Sequence, residues 1–79
     1  MTHRCIGGSD GFIFVITTTS KTTKVELSAG SMTWTFRPKK RTMEALKAMI
    51  NSLGAQAFLD YWRTNGIRIT ETGGRKYDR

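Results

Sequence analysis

Three features of the 79-residue chain predict an α+β fold. Its N-terminal half carries short runs of alternating polar and apolar residues between glycine- and serine-containing turns, the pattern of half-buried strands. Its C-terminal half carries apolar residues at helical spacing over about five turns. The single proline, Pro38, falls at the changeover. The expected architecture is a three- or four-stranded antiparallel meander, packed on one face by a long or kinked helix. The length allows one domain, 1–79, with a core too small to spare much stability for large loops.

Residues 1–11 end in Gly7-Gly8-Ser9-Asp10-Gly11 and read as a flexible lead-in. Residues 12–19 are aromatic and β-branched, which favours a strand buried at one end and wet at its threonine end. Residues 24–28 and 32–37 alternate, the latter placing Met32, Trp34 and Phe36 on one face. Short turns between the three make them antiparallel neighbours. Pro38 ends the third, because it cannot donate to a ladder.

Thr42 is the expected helix N-cap, with Glu44 where the helix dipole favours an anion. The apolar stripe runs through Leu46, Ile50, Leu53, Ala57 and Phe58 to Tyr61 and Trp62, and Asn65-Gly66 is the stop. A straight helix over 43–65 would be ~35 Å long, against a domain about 30 Å across. A kink or break at 51–54 follows, read as one bent helix rather than two. Residues 67–72 alternate as a fourth strand, and 73–79 form a polar basic tail. The expected core is Val25, Leu27, Trp34, Phe36, Leu46, Ile50, Leu53, Ala57 and Phe58.

Thirteen Lys and Arg against six Asp and Glu give a net charge of +7, so the expected partner is anionic. The densest cluster is Arg37, Lys39, Lys40 and Arg41, with Lys47 beyond and Glu44 as its sole acid. Lys and Arg so gathered can displace the counterions of a phosphate chain, here beside a helix N-terminus that also favours anions. In the tail, Arg75 and Lys76 read first as a terminus kept soluble by its charge and, in the alternative, as a basic arm that assists the cluster. Trp62 and Tyr77 are candidate aromatic anchors for a protein partner, as is Tyr61, although one of Tyr61 and Trp62 is expected to finish the core instead. Phe12, Phe14, Trp34 and Phe36 could stack bases if exposed. The helix needs an apolar sheet face to cover, however, and core packing is the better reading.

Enzymatic chemistry is not expected. His3 and Cys5, the one histidine and the one cysteine, both fall in the lead-in and cannot close a four-ligand zinc site. The six carboxylates are scattered, and the glycine-rich start lacks the lysine of a phosphate-binding loop. No cofactor or metal is implied. A helix-turn-helix centred on Gly54 is disfavoured by Ile50 and Asp60 at its spacing positions. No signal peptide or membrane-spanning run is read, so a cytoplasmic protein is expected.

The meander followed by a long helix resembles small single-stranded nucleic-acid-binding domains in outline. Its composition is similar to that of virus-encoded accessory proteins. Two expectations follow. One is a nucleic-acid-binding module that contacts phosphates. The other is an inhibitor or adaptor docking on an acidic surface of a host protein complex, in the host cytoplasm. So small a core also makes a homodimer plausible, formed through a strand edge or the helix.

Overall fold

The computed structural model describes residues 2–39 and 41–73. Its elements are β1 (His3–Ser9), β2 (Phe12–Thr18), β3 (Thr23–Ala29), β4 (Met32–Phe36), α1 (Met43–Leu53), α2 (Ala55–Thr64) and β5 (Thr70–Gly73). The strands form one antiparallel sheet in chain order, β1-β2-β3-β4-β5, with both helices on one face. The fold is α+β as predicted, with five strands where three or four are expected.

The added strand is β1, in the segment read as a flexible lead-in. Ser9 lies opposite Phe12, so Asp10 and Gly11 alone make the turn. Their φ angles of 53° and 80° are those of a type I′ hairpin, whose twist matches that of paired strands. Gly7 and Gly8 mask the strand, since glycine packs nothing. Here the ring of Phe14 fills the space. A Cβ on Gly7 would lie 2.5 Å from Phe14 Cζ.

The helical segment is broken, not bent. Gly54 separates α1 from α2 with φ 89° and ψ 155°, a conformation open essentially to glycine alone. The break resets the helical phase. Leu46 and Ile50 are buried as expected, but α2 then buries Ala55, Phe58, Leu59 and Trp62. Leu53 is left 47% exposed and Ala57 is exposed. Both belong to the stripe of an unbroken helix and drop out of the core for that reason.

Both helix termini follow their residues. Thr42 Oγ1 accepts from the Ala45 amide at 3.1 Å. At the end of α2 the Gly66 amide donates to Arg63 and the Ile67 amide to Trp62, the paired bonds of a glycine-terminated helix. That use of Ile67 delays the last strand, so β5 starts at Thr70.

Phe14, Ile16, Val25, Leu27 and Phe36 face the helices from the sheet. Phe36, Phe58 and Trp62 meet with ring centroids 5.9–6.3 Å apart. Each such side chain contributes roughly 1.5–3 kcal/mol by burial. Trp34, expected in the core, is half-buried at its rim. It packs on Phe12 at 5.6 Å, and its Nε1 donates to Glu71 at 3.0 Å. The aromatic residues of the strands therefore serve packing, as predicted.

Among the described residues no helix covers the opposite face of the sheet. The pairing register gives it three rows. One runs Gly8, Ile13, Ser28, Thr33, Thr72. The next runs Ile6, Val15, Glu26, Thr35, Thr70. The third begins Arg4, Thr17, Lys24.

Candidate anion-binding site

The third row marks one end of the sheet, and most of the chain's described cations gather there. The β2–β3 turn contributes Lys21. Thr19 shapes that turn, its Oγ1 accepting from the amides of Lys21 at 3.2 Å and Thr22 at 3.0 Å. The segment leaving β4 contributes Arg37 and Lys39, on either side of a buried Pro38 that anchors it. The segment entering β5 contributes Arg68. Arg4 and Lys24 flank Thr17 on the open face.

Two adjoining clefts lie between these segments. One, of about 520 Å³, is lined by the β2–β3 turn with Lys21, Arg37 and Lys39. The other, of about 310 Å³, is lined by Thr35, Thr70, Arg37, Lys39 and Arg68, with Gly66 and Ile67. Arg37 and Lys39 are shared by both. Among the described residues no carboxylate lines either cleft. Threonine and serine hydroxyls fill the spaces between the cations, and these can donate to phosphate oxygens.

The acids lie elsewhere. Asp10 is at the opposite end of the sheet, Glu71 holds Trp34, and Asp60 pairs with Arg63 at 3.7 Å. Among the described residues that pair is the only salt bridge, and it involves none of the cleft cations. Among the described residues two carboxylates come nearer the cationic end: Glu44, in the first turn of α1, and Glu26, on the open face opposite Thr35 and two residues along β3 from Lys24.

Arg41 points its guanidinium over the Trp62 ring, 5.6 Å from the centroid, with Nη2 3.5 Å from Tyr61 Oη. Trp62 is 5% exposed and belongs to the core, whereas Tyr61 is 37% exposed. The anchor read at Trp62 is thus unavailable to a partner in this fold. Its neighbour Tyr61 holds the surface beside the basic residues.

Of the residues singled out from sequence, Arg37 and Lys39 come together in both clefts. Arg41, in the segment before α1, lines neither cleft and packs against Tyr61 and Trp62 of α2. Lys47 is exposed on α1 and lines neither cleft. Lys40, Arg75, Lys76 and Tyr77 lie outside the described residues. Lys21 and Arg68 are the site residues that sequence reasoning missed. Each is a lone cation in a turn, and only the strand order brings them beside Arg37.

His3 and Cys5 lie on β1, opposite Thr18 and Ile16. Among the described residues no three of His, Cys, Asp or Glu are grouped to hold a metal ion. Nor, among them, is any helix long and apolar enough to cross a membrane. Comparison with protein families, curated proteins and solved structures finds no match.

Proposed function

We propose that this chain is a small non-enzymatic binding protein that holds the phosphate backbone of a nucleic acid at its cationic end. The observation that carries this reading is the pair of clefts sharing Arg37 and Lys39, bordered by Lys21 and Arg68 and, among the described residues, lined by no carboxylate. Phosphates on a strand are spaced so that several such cations can be engaged at once, and each contact releases counterions. Among the described residues the rows of the open face contain no aromatic side chain, so base stacking on these rows is not part of the mode. Recognition is then of the backbone, tolerant of sequence and steeply dependent on salt. A cytoplasmic site of action accompanies this reading.

One observation favours a second reading, an inhibitor or adaptor that docks on an acidic protein surface of a host complex. Tyr61 is exposed next to Arg41, the pairing of aromatic and arginine common at protein hot spots.

Fluorescence anisotropy with labelled duplex and single-stranded oligonucleotides, between about 50 and 200 mM salt, separates the two. The phosphate reading expects a log–log salt slope near −0.9 for each duplex phosphate contact. Lys21→Ala, Arg37→Ala, Lys39→Ala and Arg68→Ala should each flatten it by about one contact. Arg63→Ala, away from the clefts, should leave it unchanged. Absence of binding to every oligonucleotide at the lower salt overturns this reading. The protein-docking reading then stands, and it predicts that Tyr61→Ala costs a captured partner more affinity than Arg37→Ala does.

A further inference from the structure

The free edge of β1 is built to pair with itself. The Asp10-Gly11 turn closes on Ser9 and Phe12, so those two residues form the first hydrogen-bonded pair of the hairpin. Hydrogen-bonded pairs alternate along an antiparallel ladder. Ser9, Gly7, Cys5 and His3 therefore bond to β2, and the peptide groups of Arg4, Ile6 and Gly8 point outward from the sheet. The two edges of the sheet are unalike. β5 is four residues long, fully exposed and carries Glu71, all features that blunt an edge. β1 is seven residues long, with no proline and no lysine.

We propose that two copies of this chain associate through antiparallel pairing of β1 with β1, centred on Ile6. Ile6 is the middle residue of the strand, so this register pairs all three outward residues: Ile6 with Ile6, Arg4 with Gly8, and Gly8 with Arg4. A register shifted by two residues either way pairs only two of them and leaves the third beyond the end of the opposing strand.

Side chains and charge select the same register. Among the described residues Ile6 and Ile13 are the two most exposed large apolar residues, at 65% and 59%, and both lie on the open face. Pairing at Ile6 sets the two isoleucines side by side, next to Val15 of each copy. The Arg4 stem lies across Gly8 of the second copy, which has no side chain to obstruct it, and reaches that copy's Ile13, the neighbour of Gly8 on β2. Asp10, one residue past Ser9, comes to the His3 and Arg4 end of the other chain. The two Arg4 residues stay apart, about 13 Å along the strands at 3.3–3.4 Å per residue. Pairing centred on Arg4 would instead put like charges directly opposite. The result is a ten-stranded sheet whose two cationic rows occupy one face. The pairing does not depend on what the clefts bind.

Sedimentation equilibrium of the full chain at rising concentration, with amide hydrogen exchange, tests this. The expected result is a mass twice that of the monomer, with concentration-dependent protection of the Arg4, Ile6 and Gly8 amides. Ile6→Lys should return the protein to monomer, since it sets like charges opposite each other at an exposed position. A monomer at hundreds of micromolar overturns the proposal. So does a dimer in which those three amides remain unprotected. Should Ile6→Lys fail to fold, amide protection in the unaltered chain still decides.

Discussion

Gly54 shows how much one residue decides. Its backbone lies in a region that other residues enter at about 1–3 kcal/mol. A Cβ there would also run into the carboxylate of Asp10, which reaches across from the β1–β2 turn. Gly54→Ala therefore carries two costs, backbone strain and a collision. Thermal denaturation should show a loss of about 2–4 kcal/mol, combining strain with overpacking. Asp10→Ala in the same chain should recover the collision part and leave the strain. The two substitutions are then non-additive, and a double-mutant cycle measures by how much. At Thr42, whose hydroxyl satisfies a single amide, alanine should cost only about 1 kcal/mol.

Among the elements, β1 tests how far the hairpin turn organises the sheet. Gly11 has φ 80°, which a β-branched residue cannot adopt without strain. Gly11→Val should cost about 1–3 kcal/mol, with amide exchange quickening first in β1. Exchange in β3 and β4 should be affected least. The strands from β2 to β4 were legible because their alternation is strong and Pro38 marks their end. β1 was not, because its inward side chains at Gly7 and Ser9 bring no apolar signal. Its space is filled from β2 by Phe14. The Asp-Gly pair before a strand was the available cue. The helix start at Thr42 and stop at Gly66 could be read from capping chemistry. The choice between bend and break could not, since it turns on ψ at Gly54 and on Asp10 lying beside it. That one unresolved choice carries into the core, where Leu53 and Ala57 lose their places to Ala55 and Leu59. The site was legible only where its residues are contiguous, at Arg37 and Lys39. Lys21 and Arg68 join them through the order of strands, which periodicity does not specify.

Over the whole molecule, the charges are sorted more sharply than folding requires. Arg4, Lys21, Lys24, Arg37, Lys39 and Arg68 are at one end of the sheet, with Glu26 and Glu44 as the described acids nearest them, while Asp10 is at the other end. Like charges held together repel, and folding must work against that repulsion. Surface charges serving only solubility would be interspersed with acids. Stability and binding should then respond to the loss of this charge with opposite signs. Adding salt should raise the melting temperature, because screening within a Debye length of about 10 Å at 0.1 M relieves the repulsion. Arg68→Glu should raise it as well, through a gain of up to about 1 kcal/mol in stability at low salt, since it puts an anion in the cleft lined by Arg37 and Lys39. The same substitution should weaken oligonucleotide binding more than Arg68→Ala does, because it repels the phosphate as well as losing a contact. A chain that becomes more stable as it loses its partner would locate the binding surface by its cost to the fold. If Arg68→Glu instead lowers the melting temperature at low salt and the loss fades as salt is added, the cations of this end are held by attractions within the fold. The excess positive charge would then not be reserved for a partner.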